Sequence, residues 1–178
     1  MNMMKKIAVS AFAAMVLAVP AKGTEKVYEI KTVLAAPFSG VITPAAAEFL
    51  NNAIDRANGE NFDLIVIQLD TPGGLDVSMR EIIKKILASK VPVAVYVSPQ
   101  GARAASAGVF IAMASGIVAM APGTNIGAAH PVMIGNIPSI GGSKDEKKKD
   151  PMEDKILNDA AAYIKSITQK TKRNVEWA

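Results

Sequence analysis

Hydrophobic and polar positions follow two alternating patterns along the chain. Short apolar or β-branched runs are typical of strands, and longer segments with apolar residues at helical spacing are typical of amphipathic helices. The predicted strands are residues 27–33, with an extension toward Phe38, and residues 64–69, 91–97 and 116–120. The first and last predicted helices are residues 44–57 and 152–170. Between them, a second helix follows the turn at residues 72–74 and has its apolar stripe over 79–87, and a third follows the small-residue stretch 102–108 and runs through about residue 113. Strands that alternate with helices in this order predict crossover units and a mainly parallel sheet, which is an α/β fold.

The runs at residues 64–69 and 91–97 are apolar almost throughout. Such runs are typical of parallel strands that are buried on both faces. The helix before the first of them has clear ends, because Thr43 and Pro44 supply a capping hydroxyl and a first-position proline, and residues 58–59 supply an Asn-Gly stop. Residues 136–151 break the pattern with prolines, glycines and the charged run 144–150, which predicts a surface loop.

The N-terminal segment has the pattern of a targeting signal. Residues 1–6 are short and positive, residues 7–19 are apolar, and small or modest residues follow at 19–21. We therefore predict a cleaved secretory signal over residues 1–21 and one domain over residues 22–178. An uncleaved anchor is the alternative, but the apolar run is shorter than the ~20 residues of a membrane span.

Composition excludes several classes of protein. With 50% hydrophobic and 20% charged residues, the 178-residue chain is neither disordered nor a multi-span membrane protein. Its net charge of +4 includes Lys5 and Lys6 of the leader, and aromatic residues make up only 5%, which argues against a nucleic-acid-binding surface. One histidine and no cysteine predict neither a disulfide nor a metal site, and we expect no cofactor.

The motif DTPGG at residues 70–74 follows a predicted buried strand. Ligands of parallel α/β sheets gather at the carboxyl ends of strands. Two glycines at that place allow backbone N–H groups to face a developing oxyanion. The alternative is a plain turn between a strand and a helix.

The motif AASAG at residues 104–108 places Ser106 at the start of a predicted helix. A hydroxyl there lies in the positive potential of the helix N-terminus, and its small neighbours permit close approach of a substrate. Ser106 is therefore a candidate nucleophile, although a capping serine among closely packed residues is the better explanation of this motif taken alone.

A serine nucleophile needs a base to take its proton. The candidates are His130 in the motif GAAHP and a lysine such as Lys155, in the first turn of the last predicted helix. The helix dipole disfavours a charged lysine at that place, whereas Glu153 and Asp154 favour one. Spacing alone leaves the choice open.

Three motifs in this order resemble the N-terminal protease domain of the NfeD family, the stomatin-operon partner proteins related to ClpP and signal peptide peptidase A. They are LDTPGG at residues 69–74, AASAG at 104–108 and APGTNIGAAHP at 121–131. The resemblance implies a ClpP/crotonase-like spiral of βαβ units. It also implies a membrane-associated serine endopeptidase that cleaves hydrophobic segments of a stomatin-like membrane protein and forms a homodimer or a larger homo-oligomer. The predicted secretory signal, in turn, implies a periplasmic or other extracytoplasmic location.

By the same resemblance, Ser106 matches the nucleophile and Lys155 the general base, with His130 as the alternative base. Gly73 and Gly74 match the oxyanion turn, and the Ala107 N–H is a further donor. Family members continue beyond the last residues of this chain, which predicts that the domain is truncated at its C-terminus.

Two other functions compete with the peptidase. A binding module for a stomatin-like partner would keep the fold with a weak or incomplete site. A crotonase-like acyl-CoA enzyme would share the fold and the glycine-backed oxyanion hole. The predicted export signal argues against the second, because acyl-CoA chemistry is intracellular.

Overall fold

The computed structural model describes residues 29–129 and 151–176. The predicted signal of residues 1–21, His130 and the charged run of residues 144–150 lie outside these ranges. In chain order the elements are β1 (Val33–Ser39), α1 (Pro44–Gly59), β2 (Leu64–Asp70), α2 (Asp76–Ala88), β3 (Val93–Val97), β4 (Arg103–Ala105), α3 (Ala107–Ala114), β5 (Ile117–Met120), β6 (Asn125–Gly127) and α4 (Pro151–Lys170).

Two parallel sheets organise these elements. The larger sheet has the strand order β1-β2-β3-β5, and the smaller one pairs β4 with β6. The segment after β2 joins them, because Thr71 forms a parallel bridge to Ala104, and Gly74 forms one to Ile42. The α/β prediction with a mainly parallel sheet is therefore confirmed.

Helix α1 begins where its sequence predicts. The Thr43 side chain accepts a hydrogen bond from the Ala46 N–H (3.3 Å), and Pro44 occupies the first turn, where its missing N–H costs nothing. Leu50 and Ile54 are completely buried on the face that packs against the sheet and α2. Local capping and an apolar stripe are enough to define this helix.

Burial along β2 differs from the prediction. Ile65, Ile67 and Leu69 are completely buried, whereas the alternate residues Leu64 and Val66 are only half-buried. Successive side chains of a strand point to opposite faces, so one face of β2 carries the core and the other is only partly covered by the described residues. The expectation that residues 64–69 are buried on both faces is wrong.

Arg80 fastens α4 to α2. Its Nε donates to Asp76 Oδ2 (2.7 Å), its Nη2 donates to Asp159 Oδ2 (2.5 Å), and its guanidinium lies 4.1 Å from the centre of the Tyr163 ring. Tyr163 also stacks on Phe110 of α3 at a ring-centre distance of 6.2 Å. Burial raises the pKa of the Tyr163 hydroxyl. This cluster fixes α4, which carries Lys155, against the two helices that flank the site described below.

Strand β1 begins at Val33, so residues 29–32 of the predicted strand are not part of it, and residues 27–28 lie outside the described residues. The reason is Asp63, whose Oδ2 accepts hydrogen bonds from the backbone N–H groups of Lys31 (2.9 Å) and Thr32 (2.8 Å) and from the Thr32 hydroxyl (3.0 Å). These donors are therefore turned to a side chain rather than to a neighbouring strand. The same hydrogen bonds lower the pKa of the Asp63 carboxyl.

We expect Asp63→Ala to lower the midpoint of thermal unfolding at pH 7, because it removes the acceptor of all three hydrogen bonds. The folded pKa lies below the ordinary value of 3.8, so this stabilisation is present above that value and is lost as the pH falls through the folded pKa. The difference in midpoint between wild type and variant should shrink from about pH 5 to about pH 2. Circular dichroism melts measure it, with Glu48→Ala on the exposed face of α1 as the control. A difference that stays constant with pH would contradict the assignment.

Candidate active site

Ser106 stands on a sharp turn between β4 and α3. Its backbone has φ 51° and ψ −115°, a combination that costs a non-glycine residue about 1–3 kcal/mol. The Ser106 N–H donates to the carbonyl of Gly127 in β6 (3.1 Å), and its own carbonyl accepts from the Val109 N–H (3.0 Å). The strained turn holds the half-buried Ser106 side chain between β4 and α3, and this side chain forms no capping hydrogen bond to the helix.

Gly73 provides the space that the Ser106 side chain occupies. A Cβ atom at Gly73 would lie 2.6 Å from Ser106 Cβ and 3.1 Å from Ser106 Oγ, so no larger residue fits. Gly73 also has φ +120°, which side-chain-bearing residues rarely adopt. The structure therefore brings together two motifs that lie more than thirty positions apart in the sequence.

The three predicted oxyanion donors differ in what their N–H groups do. The Gly73 N–H donates to the Thr71 hydroxyl oxygen (3.1 Å) and is already engaged. Gly74 pairs with Ile42 through the Gly73 carbonyl and the Leu75 N–H, and in this parallel pairing its own N–H does not bond to Ile42. Ala107 is the first residue of α3, and a first-turn N–H has no acceptor within its helix.

Lys155 lies near the N-terminus of α4, at the same side of the domain as the N-terminus of α3. Tyr163 packs on Phe110, and the Thr171 hydroxyl donates to the Met113 carbonyl (3.1 Å), so the two helices run in the same direction. Lys155 is two turns before Tyr163, about 12 Å along the helix axis, at the level of the α3 N-terminus or just beyond it. Its side chain is exposed, and no hydrogen bond joins it to Ser106. His130 lies outside the described residues.

The family model of the NfeD1b N-terminal domain matches residues 32–172, which include every helix and strand from β1 to α4. The chain belongs to this family.

A relative with a curated description is the membrane-bound protease PH1510 of Pyrococcus horikoshii, which is 38% identical over 171 residues and covers 96% of this chain. The alignment spans only 36% of that protein, so the NfeD1b domain described here corresponds to about a third of the relative's length.

Solved structures agree with this relationship. The serine-to-alanine mutant of the membrane-bound stomatin-specific protease 1510-N superimposes with a TM-score of 0.70 at 39% identity, over 84% of this chain and 68% of that one. A lysine-to-alanine mutant of 1510-N in complex with a substrate peptide gives a TM-score of 0.69 at 39% identity, over 83% of this chain and 64% of that one. A ClpP1 mutant from Listeria monocytogenes gives 0.57 at 20% identity, over 80% of this chain and 75% of that one, which shows the ClpP-like fold.

Two residues of the NfeD1b site were not singled out from the sequence. Thr71 is completely buried, and its side chain contacts both the Gly73 backbone and the position of Gly108. Asp70 Oδ1 accepts from the Arg103 N–H (3.1 Å) and so ties the end of β2 to β4. A threonine two residues before a glycine is a known turn signal that could have indicated the first contact. The second depends on which strands become neighbours.

Within residues 29–129 and 151–176, no cluster of histidine or carboxylate side chains has the arrangement of a metal site. Over the same ranges of the NfeD1b domain, no helix has the length and apolar character needed to cross a bilayer.

Proposed function

We propose that this NfeD1b domain is the catalytic part of a membrane-associated serine endopeptidase that cleaves an apolar segment of a stomatin-like membrane protein. The observation that carries the proposal is Ser106, held in a strained conformation at the N-terminus of α3 and packed against the backbone of Gly73. The names of the similar 1510-N structures, a stomatin-specific protease studied as serine and lysine mutants, support the same chemistry and the same class of substrate.

In the proposed reaction, Ser106 Oγ attacks the carbonyl carbon of the scissile peptide bond while a neutral lysine accepts the hydroxyl proton. The N–H groups of Gly74 and Ala107 stabilise the oxyanion of the tetrahedral intermediate. The lysine then gives its proton to the leaving amine, which produces an acyl-enzyme. Water activated by the same lysine hydrolyses the ester and restores the Ser106 hydroxyl.

Two lysines compete for the role of the base. Lys155 occupies the predicted position in the first turn of α4. However, the substituted lysine of 1510-N lies 41 residues after the substituted serine. The residue 41 positions after Ser106 in this chain is Lys147, in the charged run. Because an eight-residue insertion would be needed to reach Lys155, we favour Lys147 as the base.

Apolar side chains beside the oxyanion turn support an apolar substrate. Val41 is 54% exposed next to the Ile42–Gly74 bridge, and Leu75 and Val77, just beyond Gly74, are 41% and 70% exposed. Exposed large apolar residues that cluster at a site are typical of a binding surface. An extended apolar peptide that passes Gly74 to reach Ser106 would bury them.

The location and assembly of the protein are part of the proposal. The positive and then apolar pattern of residues 1–19 supports export through a secretory signal, which would place the domain on the outer side of the membrane. The relative's description as membrane-bound supports membrane association of the whole protein. We also propose a homodimer or a larger homo-oligomer.

Fluorophosphonate labelling of the full chain tests the proposal. We expect the Ser106 hydroxyl of wild type to displace fluoride and become phosphonylated, and Ser106→Ala to be unlabelled, with a loss of at least about 1,000-fold in rate, because the variant lacks the nucleophile. Ser166→Ala on the exposed side of α4 is the matched control and should label like wild type. A folded wild-type chain that is not labelled and does not cleave an apolar peptide would contradict the peptidase and favour the binding module.

A further inference from the structure

We propose that Thr71 is a positioning residue that couples the oxyanion turn to the nucleophile helix. This inference rests on the proposed function, because it assigns a role within the Ser106 site. Thr71 has 0% exposure, although most threonines lie at the surface. Its hydroxyl, its methyl group and its backbone each contact a different part of the site.

The Thr71 hydroxyl fixes the conformation of Gly73. Its oxygen accepts a hydrogen bond from the Gly73 N–H (3.1 Å), and its proton is directed to the Gly73 carbonyl (3.2 Å). The same carbonyl accepts from the Ile42 N–H (2.8 Å). Gly73 is therefore held from both ends at φ +120°, and this conformation determines where the following Gly74 N–H points.

The Thr71 methyl group fixes the first turn of α3. A Cβ atom at Gly108 would lie 2.6 Å from Thr71 Cγ2, so the helix approaches Thr71 as closely as a glycine allows. Gly108 is two residues after Ser106 and one after Ala107. The methyl group thus fills the space between Thr71 and the helix that supplies both the nucleophile and one oxyanion donor, whereas the polar contacts of the site depend on the hydroxyl and the backbone.

The Thr71 backbone fixes the strand that leads to Ser106. Its N–H donates to the Arg103 carbonyl (2.7 Å), and its carbonyl accepts from the Ala105 N–H (3.0 Å). One buried side chain and its backbone therefore hold β4, α3 and the Gly73 turn in register. A shift of the turn relative to α3 separates the Gly74 and Ala107 N–H groups, which must act together on one oxyanion.

The expected kinetic consequence is specific to the transition state. Oxyanion donors act on charge that develops during the reaction, so their misplacement lowers the maximal rate more than it weakens binding of the ground state. A residue that served only overall stability would leave the maximal rate of the folded protein unchanged relative to its half-saturating concentration.

Three substitutions separate the hydroxyl from the methyl group. Thr71→Val keeps the shape and removes the hydroxyl, Thr71→Ser keeps the hydroxyl and removes the methyl group, and Thr71→Ala removes both. Fluorophosphonate labelling of the full chain, which phosphonylates the serine hydroxyl, gives a maximal rate and a half-saturating probe concentration for each variant, measured well below its unfolding midpoint. We expect Thr71→Val to lower the maximal rate by about 10- to 100-fold with less than about threefold change in half-saturation, and Thr71→Ser to stay within about threefold of wild type.

The comparison of Thr71→Ser with Thr71→Ala measures the hydroxyl a second time and decides the question if the valine variant does not fold. A wild-type rate in Thr71→Val, or equal rates in the serine and alanine variants, would overturn the role of the hydroxyl. Equal losses in maximal rate for Thr71→Val and Thr71→Ser would overturn it as well. Wild type must label and Ser106→Ala must not, so a failure of the proposed function is distinguished from a failure of this inference.

Discussion

Gly73→Ala is expected to abolish labelling of Ser106 without unfolding the domain. The new methyl group would lie 2.6 Å from Ser106 Cβ and 3.1 Å from Ser106 Oγ, where no atom of the site can remain in place. The Ser106 backbone is held in a strained conformation, so relief of this contact requires a change in the conformation of the turn that positions the nucleophile. We expect a loss of at least about 1,000-fold in the rate of fluorophosphonate labelling and a destabilisation of about 1–3 kcal/mol from overpacking and from φ +120°.

Gly101→Ala is the matched control for backbone strain. Gly101 also has a positive φ, +84°, but a Cβ atom there meets nothing within 4 Å. This variant should lose about 1 kcal/mol of stability and label within about threefold of wild type. Fluorophosphonate labelling rates and urea unfolding of both variants measure the two effects separately. If Gly73→Ala labelled like Gly101→Ala, the contact between Gly73 and Ser106 would not be part of the active site.

The parts of the fold that the sequence predicts well are those with local causes. Helix α1 begins and ends where Thr43, Pro44 and residues 58–59 predict, because capping and turn preferences act over a few residues. The strands β4 and β6 have three residues each and were not predicted as strands, because their pairing depends on a partner distant in the sequence. The half-buried face of β2 was missed for a similar reason, since an apolar side chain does not reveal which elements cover it.

The site divides in the same way. Ser106 and Gly73 could be selected from their motifs, because a strand-to-helix turn and a glycine pair have recognisable sequences. Their contact could not be derived, since it requires β2 and β4 to become neighbours through the Thr71–Ala104 bridge. The engagement of the Gly73 N–H by Thr71 has a local signal, because a threonine two residues before a glycine favours such a turn, but the contact of Thr71 with Gly108 depends on which elements become neighbours.

Two observations disagree on the base: the helix pattern of the sequence indicates Lys155, and the spacing of the substituted serine and lysine of 1510-N indicates Lys147. We expect Lys147 rather than Lys155 to be essential. Lys147→Ala should lower the rate of fluorophosphonate labelling of Ser106 by about 100- to 10,000-fold, because a serine hydroxyl without a base is a weak nucleophile. Lys147→Arg should be as slow, since a guanidinium keeps the positive charge but does not release a proton in this pH range. Lys155→Ala and the neighbouring Lys148→Ala should remain within about threefold of wild type, because neither lysine contacts the reacting proton in the proposed arrangement.

The pH dependence of the fluorophosphonate labelling rate adds an independent criterion for the identity of the base. A lysine base must be neutral to accept a proton, so the wild-type rate should rise as the pH increases from neutral to alkaline values, and the residual rate of Lys147→Ala should lose that rise. If Lys155→Ala and Lys155→Arg lose activity and the Lys147 variants keep it, the base is the helical lysine and the interval in 1510-N does not transfer to this chain. If all four variants keep activity and His130→Ala loses it, the base is a histidine, and a lysine mechanism is excluded for this domain.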